Sequence, residues 1–319
     1  MDTNPLISII TPSYNQADYL EMSMLSVLNQ DYPNLEYIVV DGNSTDGSQE
    51  IIKKFEDRLS WWVSEKDDGQ ADAFNKGIKH AQGKYIGWLN SDDLYLPGTI
   101  SEAVSLLENN QDLAFVFGDV QSINEKGIIT NIMCYGDWQL VDLMQFKIIG
   151  QPAVFMRRDL LEKVGGLDPS FHFLLDHLLW LKLASKAKIN YSHKLWAAAR
   201  FHMSAKNVAQ AEKFGQEAYR LVDWMQNNPD LESVYQPNNK RILAGAHRMN
   251  ARYLLDSGKF SESAKVYWKG LCTDFVTVIP EWHRWLYAIF APLGLYKIKD
   301  LYLKLKFKLK RPDLMGKKS

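Results

Sequence analysis

A buried strand and the turn that ends it are predicted by Tyr37-Ile38-Val39-Val40-Asp41-Gly42-Asn43-Ser44-Thr45-Asp46-Gly47. Four apolar residues in a row are typical of a strand that is covered on both faces, as in a parallel sheet. The turn is rich in Gly, Asn, Asp and Ser, and it opens a predicted helix over residues 48–58. Strand, polar turn and helix in this order form the repeating unit of an α/β protein.

The same order recurs on both sides of this stretch. Further strands are predicted at residues 8–10, 59–63, 84–89 and 113–117, and further helices at 19–28, 71–80 and 98–107. The alternation predicts an α/β fold, with a mostly parallel sheet and helices on both faces. Ligands of such sheets bind beyond the carboxyl ends of the strands. Two polar clusters, residues 41–44 and 90–93, follow predicted strands at such ends.

The remainder of the chain divides into an irregular and a helical part. Residues 119–205 contain a strand-like segment at 153–155, a Gly165-Gly166 turn and a helical stretch at 174–186. Helical patterns at 207–227, 240–256 and 261–271 follow, and residues 251–267 resemble a single helical hairpin of the tetratricopeptide type. We therefore expect three regions: an α/β domain (1–205), a helical region (206–280) and an aromatic and basic tail (281–319).

Composition excludes several classes of protein. The chain has 319 residues, of which 46% are apolar and 24% charged, and this excludes a disordered, collagen-like or small disulfide-stabilised protein. Cys134 and Cys272 lie far apart, which predicts two buried free thiols in a reducing compartment. The N-terminus does not resemble a signal peptide, and no run reaches the ~18 apolar residues of a membrane helix. A cytoplasmic location is expected.

The net charge of −1 conceals a basic tail. From Lys297 to the C-terminus, nine basic residues stand against two acidic ones, so this segment carries +7 and the remainder −8. Aromatic residues between Trp282 and Phe290 precede it, a pattern that favours peripheral attachment to an anionic membrane surface on the inner face of the cell membrane. A solvated basic helix or an ordinary charged terminus is the alternative, since the apolar spacing fits both a strand and a helix.

Asp92 and Asp93 suggest a cation site. Adjacent carboxylates at the end of a strand repel each other unless a cation neutralises them. Mg²⁺ or Mn²⁺ prefers oxygen ligands and can bridge to phosphate oxygens. For an isolated Asp-Asp pair, the alternative is an acidic cap on the helix that follows Pro97.

Two further groups could face a ligand. The Asp41 carboxylate could accept hydrogen bonds from a base N–H or from ribose hydroxyls, or it could instead cap the following turn. In the polar segment 67–77, Lys76 could offset phosphate charge while Asp72 and Asn75 face the ligand. An ordinary capped helix is the alternative for this segment.

Four motifs occur in an order and spacing that resemble family 2 glycosyltransferases of the GT-A fold. They are Ile7-Ser8-Ile9-Ile10-Thr11-Pro12-Ser13-Tyr14-Asn15, Val40-Asp41-Gly42-Asn43-Ser44-Thr45-Asp46-Gly47-Ser48, the block from Asp68-Gly69 to Lys76-Gly77, and Trp88-Leu89-Asn90-Ser91-Asp92-Asp93. The resemblance continues through Gly150-Gln151-Pro152 and Leu175-Asp176-His177-Leu178 and covers residues 6–205. The last third of the chain shares none of it.

The resemblance implies roles for matching positions. Asp176 matches the general base, and Asp41 matches the aspartate that holds the nucleotide base. Asp93 matches the direct metal ligand, and His202, within Arg200-Phe201-His202, could reach the metal or the diphosphate unless it is a packed or surface histidine. The expected nucleotide-sugar site comprises Thr11, Pro12, Tyr14, Asp41, Asp72, Lys76, Asn90, Asp92 and Gln151.

The implied reaction is inverting transfer of a sugar from a nucleoside-diphosphate sugar, with a UDP-sugar favoured, to a hydroxyl of a glycan or lipid-linked acceptor. Such a reaction belongs to polysaccharide biosynthesis, uses Mg²⁺ or Mn²⁺ and involves no nucleic acid. Many relatives carry a second acid two positions after the base, where this chain has Leu178. Asp176 is then the single acidic candidate in that segment.

The sequence also bears on three other classes of protein. A nucleotidyltransferase would be expected to have a Gly-rich basic loop near the N-terminus, and residues 11–17 have none. A dinucleotide-dependent dehydrogenase would need Gly-x-Gly-x-x-Gly after the first strand, which is missing. A catalytically silent scaffold is disfavoured by the carboxylates at positions 41, 92, 93 and 176.

Overall fold

The computed structural model describes residues 4–201 and 211–293. It divides into two compact units, Met1–Val208 and Ala209–Ser319, and each unit is described by itself.

Nine strands and seven helices make up the described part of the first unit. The strands are β1 (Ile7–Ser13), β2 (Leu35–Asp41), β3 (Trp61–Ser64), β4 (Tyr85–Trp88), β5 (Leu94–Tyr95), β6 (Leu113–Ile123), β7 (Ile129–Met133), β8 (Val154–Arg157) and β9 (Lys188–Arg200). The helices are α1 (Ala17–Leu28), α2 (Ser48–Lys54), α3 (Gln70–His80), α4 (Thr99–Asn109), α5 (Leu140–Met144), α6 (Arg158–Lys163) and α7 (Leu175–Ala184).

The strands form one mixed sheet in the order β3-β2-β1-β4-β8-β6-β9-β5, with β7 paired to β6. From β3 to β4 all pairs are parallel, as the strand and helix alternation predicts. Beyond β4 the sheet departs from that expectation, because β8 runs antiparallel to both β4 and β6 and β5 runs antiparallel to β9. The long strand β9, which pairs parallel to β6, was not predicted from the irregular segment 119–205.

Register aligns three polar residues along one edge of the parallel half. Ser13 pairs with Asp41 in the β1–β2 ladder, and Asp41 pairs with Ser64 in the β2–β3 ladder. Each lies at the carboxyl end of its strand, so their side chains meet on the edge where ligands of α/β sheets bind. Helix α3 packs close to β1 because residue 77 is glycine; an added Cβ there would collide with the Ile10 side chain.

Buried aromatic residues fill much of this unit. Trp88, Trp180 and Trp196 are among its largest fully buried side chains, and the Trp180 ring lies 5.4 Å from the Phe115 ring. The expectation of buried thiols is wrong, because both Cys134 and Cys272 are exposed. Exposure of a single thiol depends on where its segment lies in the fold, which residue type alone does not encode.

The second unit is helical. Its helices are α8 (Ala211–Gln226), α9 (Glu232–Asp256), α10 (Phe260–Thr273), α11 (Phe275–Val278) and α12 (Trp282–Phe290). Helices α9 and α10 are joined by a short turn in which Gly258 has a φ of +76°. Helix α9 begins eight residues before the predicted start and contains Pro237, which usually marks a helix boundary.

A buried charge cluster joins three helices of this unit. Glu281, at the start of α12, accepts hydrogen bonds from Arg252 of α9 and, at 2.9 Å, from the Tyr267 hydroxyl of α10. Its carboxylate also lies 3.7 Å from Arg248 and 3.9 Å from Arg284. Burial alone would raise the pKa of Glu281, but the charges of the arginines hold it below its ordinary value.

Replacing Glu281 with Gln is expected to destabilise the helical unit by about 3 kcal/mol at neutral pH, because the clustered arginines lose their shared counter-charge. A carboxyl whose pKa is depressed by folding stabilises the fold above its unfolded pKa, and this contribution is lost as the pH falls through the folded value. Urea unfolding followed by circular dichroism should therefore separate wild type from the variant at pH 7 and much less at about pH 3. Glu262→Gln, at an exposed carboxylate, is the matched control, and equal destabilisation by both would contradict the prediction.

Candidate functional site

Asp41 occupies the centre of the polar edge and is completely buried. Its Oδ2 accepts hydrogen bonds from the Ser44 backbone N–H at 2.8 Å and the Ser64 hydroxyl at 2.6 Å, and its Oδ1 accepts from the Ser44 hydroxyl at 2.5 Å. An ionised carboxylate has about four acceptor positions, so about one remains for a ligand donor. The turn-capping alternative is thus present, and it leaves room for the predicted binding role.

The first loop is tied to the loop after Asp41. The Asn15 backbone N–H donates to the Ser44 hydroxyl at 2.8 Å, and the Asp46 carboxylate accepts from the Ala17 backbone N–H at 2.9 Å. This cross-loop contact satisfies an N-terminal N–H of α1, which has no capping side chain of its own. The two loops therefore form one wall of the site.

The predicted residues of the first loop differ in exposure. Thr11 is buried and accepts a hydrogen bond from the Tyr37 hydroxyl at 3.1 Å, and Pro12 is buried beside it. Tyr14 is 61% exposed, so its ring is available to a ligand. Ser13, not singled out from the sequence, has a buried hydroxyl without a hydrogen-bond partner directly across from Asp41. Unpartnered buried hydroxyls are rare, so this one is a candidate for a ligand contact.

Asp67 is a second residue that sequence reasoning did not assign. A Cβ added to Gly42 would lie 2.8 Å from the Asp67 carboxylate and 3.2 Å from the Tyr14 ring, so these groups converge on Gly42. Burial raises the pKa of Asp67, and the nearby charges of Asp72 and Asp41 act in the same direction. Its place in the polar loop between β3 and α3 was the only sequence signal, and that signal is shared with Asp68 and Asp72.

Asp93 is the most deeply placed carboxylate of the Asp92-Asp93 pair. It is 5% exposed, and its Oδ1 accepts a hydrogen bond from the Arg200 backbone N–H at 2.8 Å. Burial and the charge of Asp92 raise the pKa of Asp93 well above its ordinary value. A cation bound beside a buried carboxylate and its acidic neighbour would offset the repulsion between their charges.

Arg200, at the end of β9, holds the backbone around the pair. Its Nε donates to the Asp92 carbonyl at 3.0 Å, and one terminal nitrogen donates to the carbonyls of Asn124 and Glu125 at 3.1 Å each. The guanidinium also lies 4.7 Å from the centre of the Tyr19 ring. Arg200 thus fixes the position of the Asp92-Asp93 turn rather than presenting its charge to solvent.

Three side-chain amides connect this turn to α3 and to Gln151. Gln70, the first residue of α3, donates to the Asn90 Oδ1 at 2.7 Å, and Asn90 donates to the Gln151 Oε1 at 2.9 Å. Gln151 donates in turn to the Trp88 carbonyl at 2.7 Å. The structure therefore brings the predicted residues Asn90 and Gln151 together, and it adds Gln70, which the sequence did not reveal.

Asp72 and Lys76 are engaged with each other on α3. The Lys76 ammonium lies 3.2 Å from Asp72 and 3.0 Å from Glu65. Burial alone would raise the pKa of Asp72, but the Asp68 backbone N–H and Lys76 hold it below its ordinary value. A ligand phosphate would therefore compete with two carboxylates for Lys76.

Asn75 connects α3 to the glycine turn before α7. Its side-chain amide exchanges two hydrogen bonds with the Leu167 backbone, at 2.8 and 2.9 Å. Gly166 has a φ of +66°, and a Cβ on it would lie 2.5 Å from the Asn75 Oδ1. The amide of Asn75 thus holds the turn, which is a structural use rather than the ligand contact considered from the sequence.

Asp176 lies in the first turn of α7, where the helix dipole favours a negative charge. Its Oδ1 accepts a hydrogen bond from the His177 backbone N–H at 2.7 Å. His177 is buried, its Nε2 lies 2.9 Å from the Leu143 carbonyl, and burial lowers its pKa to about 4, so its ring is neutral at pH 7. Leu178 is 1% exposed, so the position of the missing second acid belongs to the core.

The donor set fits a hard divalent cation. Asp92 and Asp93 offer adjacent carboxylates with an elevated proton affinity at Asp93, and Mg²⁺ commonly binds through one or two carboxylates plus substrate phosphates. Within residues 4–201 and 211–293, no group of three or more His, Cys, Asp or Glu side chains forms a complete metal cage. His202 lies outside the described residues, as does the basic tail from Lys297 onward.

Comparison with known sequences identifies the family. The sequence model of glycosyl transferase family 2 matches residues 8–165. A putative teichuronic acid biosynthesis glycosyltransferase, TuaG of Bacillus subtilis, is 32% identical over 193 residues, which cover 59% of this chain and 75% of that relative. The chain belongs to glycosyl transferase family 2.

Other relatives are also named as glycosyltransferases. The UDP-Glc:alpha-D-GlcNAc-diphosphoundecaprenol beta-1,3-glucosyltransferase WfgD of Escherichia coli is 28% identical, over 64% of this chain and 79% of its own length. An uncharacterized glycosyltransferase of Rickettsia typhi is 31% identical over 62% of this chain. The match spans 65% of the length of that relative.

Solved structures share the fold. A mannosyltransferase from Pyrobaculum calidifontis in complex with GDP-Man and Mn²⁺ has a TM-score of 0.61 at 20% identity, covering 99% of this chain and 89% of that one. TarS residues 1–349 of S. aureus in complex with UDP-GlcNAc has a TM-score of 0.57 at 19% identity, covering 89% and 79%. The GT-A fold and the helical C-terminal region predicted from the sequence are confirmed. In the described part of this family 2 chain, no helix has the length and apolarity to cross a membrane.

Proposed function

We propose that this chain is an inverting glycosyltransferase that moves a sugar from a nucleoside-diphosphate sugar to a hydroxyl of a glycan or lipid-linked acceptor. The observation that carries the proposal is the buried Asp93 beside Asp92, locked by Arg200 at the same sheet edge as Asp41. Membership of family 2 supports the reaction class.

The donor is placed by residues at the ends of β1, β2 and β4. Asp41 accepts a donor N–H or hydroxyl of the nucleoside, and the Ser13 hydroxyl lies directly across from it in the β1–β2 ladder. Tyr14 offers an exposed ring to the base or ribose. WfgD is named as an enzyme that uses UDP-Glc, and the TarS structure is a complex with UDP-GlcNAc. Both support a UDP-sugar as the favoured donor.

Asp92 and Asp93 would hold a divalent cation, Mg²⁺ or Mn²⁺, at the diphosphate end of the donor site. Bound there, such a cation would neutralise phosphate charge and stabilise the departing nucleoside diphosphate. The Mn²⁺ in the mannosyltransferase complex supports this assignment. Arg200 and the amides of Gln70, Asn90 and Gln151 keep the two carboxylates in place.

Asp176 acts as the general base. It removes the proton from the acceptor hydroxyl as that oxygen attacks the anomeric carbon. The new bond forms as the bond between the anomeric carbon and the diphosphate oxygen breaks, so the configuration inverts in one displacement. The hydrogen bond from the His177 N–H holds the Asp176 carboxylate at the start of α7, which supports the assignment.

Nucleotide binding provides the direct test. UDP, GDP, TDP and CDP, each with Mn²⁺, should be compared in a thermal-shift assay of the full chain. A ligand at 100-fold its Kd stabilises the native state by about 2.7 kcal/mol, which corresponds to a rise in Tm of roughly 5–10 °C. UDP should give the largest shift, and EDTA should reduce it. The absence of a shift with every nucleotide would contradict the proposal and favour a silent scaffold.

A further inference from the structure

Exposed apolar side chains concentrate on the second unit. Of the ten large apolar residues exposed in the described part of the chain, six lie between positions 268 and 290. We name them the aromatic face: Trp268, Phe275, Val276, Trp282, Ile289 and Phe290. Their exposed fractions run from 40% for Ile289 to 72% for Val276. Apolar groups that cluster on a surface in this way usually mark a site of interaction.

Helix α12 is two-sided. Trp282, Ile289 and Phe290 share one side by their spacing of seven and eight residues, whereas Ala288 on the other side is 1% exposed. Trp285 stacks on Trp268 of α10 at 5.8 Å, which joins the exposed sides of the two helices. The buried contacts of Glu281 fix the start of α12, so the aromatic face has a rigid support.

Basic residues outnumber acidic ones in the sequence that carries and follows this face, although Glu262 and Asp274 also lie in it. Lys265 and Lys269 are exposed on α10, within one turn of Trp268. The sequence beyond Phe290 adds seven Lys and Arg residues between positions 297 and 311, against Asp300 alone. Tryptophan and phenylalanine beside lysine is the composition of segments that lie in the interface of an anionic bilayer. A second copy of the chain would bring the same positive charge against itself.

We propose that the aromatic face is a membrane-docking surface, whose aromatic side chains enter the headgroup region of an anionic lipid bilayer while the flanking lysines bind its phosphates. The helices lie in the plane of the interface, in keeping with the lack of a membrane-crossing helix among the described residues. This surface is independent of the sugar-transfer site, and its tests do not use turnover.

Vesicle flotation of the full chain tests the surface. Wild type should float with vesicles of 30% phosphatidylglycerol in phosphatidylcholine and should bind pure phosphatidylcholine much more weakly. The double variant Trp282→Glu with Phe290→Glu should lower the partition coefficient at least tenfold, because it places two carboxylates where apolar area enters the lipid. The matched control is Met22→Glu with Ile128→Glu, which alters two exposed apolar residues of the first unit.

The two exposed cysteines give a second readout. Cys272 lies one helical turn beyond Trp268, whereas Cys134 lies in the first unit. A polarity-sensitive fluorophore on Cys272 of the Cys134→Ser variant should shift to the blue when anionic vesicles are added. The same fluorophore on Cys134 of the Cys272→Ser variant should not respond.

Three results would overturn the proposal. One is equal flotation of wild type and the Trp282→Glu, Phe290→Glu variant, which would assign binding to the tail alone. Another is equal binding to neutral and anionic vesicles. The third is a wild-type dimer in sedimentation that the same variant dissociates, with no vesicle binding, because the face would then be a contact between copies. Circular dichroism and the UDP thermal shift confirm that each variant is folded, which separates this test from that of the reaction.

Discussion

Replacing Asp176 with Asn should lower sugar transfer by about 10²–10⁴-fold while leaving UDP binding within about twofold of wild type. The amide cannot take a proton from the acceptor hydroxyl, but it is nearly the same size as the carboxylate and can still accept the hydrogen bond from the His177 N–H. A transfer assay checks the loss of activity. The UDP-induced rise in Tm, measured on the same preparation, checks that UDP binding is retained.

The control for this variant is Asp159→Asn, which removes an exposed carboxylate from the first turn of another helix, α6. It separates the loss of a base from the loss of a favourable helix-terminal charge, which is worth about 0.3–1 kcal/mol. If Asp176→Asn weakened UDP binding as much as transfer, Asp176 would have a structural role and the assignment as base would be wrong.

Replacing Asp93 with Asn should reduce turnover by roughly 10³-fold, since a cation that stabilises the leaving diphosphate contributes several kcal/mol. It should also abolish the part of the UDP-induced Tm shift that depends on Mn²⁺. Without metal, the variant should be as stable as wild type or more so, because burial and the charge of Asp92 already disfavour the ionised form of Asp93, and the amide cannot ionise. A transfer assay measures the first effect, and thermal melts with and without Mn²⁺ measure the other two.

Asp112→Asn, at an exposed position just before β6, is the matched control and should leave turnover and the Mn²⁺ response unchanged. A variant Asp93→Asn that keeps the full Mn²⁺-dependent shift would show that the cation is held elsewhere. A variant that fails to melt cooperatively would be replaced by Asp93→Ser, which keeps an acceptor for the Arg200 N–H in a smaller side chain.

Local sequence patterns predicted most of the elements in the parallel half of the sheet. The apolar run before Asp41 predicted a buried strand, and β2 ends at that residue. The predicted helix at 71–80 is α3, which begins one residue earlier and ends at the predicted residue. These elements can be predicted from neighbouring residues, because the apolar run of a buried strand and the period of a helix each span only a short stretch of sequence.

The antiparallel half of the sheet could not be predicted from local sequence patterns. β9 contains exposed and buried residues without a regular period, and its pairing with β6 joins residues more than seventy positions apart. Contacts at such separation leave no periodic trace in a single sequence. The same limit hid the roles of Gln70, Ser13 and Asp67, each of which depends on a neighbour from another strand or loop.

Residue order alone established a strand and helix alternation with carboxylates at the strand ends, since a parallel strand must be apolar along its length and can turn polar only where it leaves the sheet. Folding settled how those carboxylates are used. Asp41 became a buried acceptor of hydrogen bonds from Ser44 and Ser64, and Asp93 was fixed by a backbone N–H 107 residues away, at Arg200. Hydrogen bonding and burial depend on groups that only the folded chain brings within about 3 Å of each other.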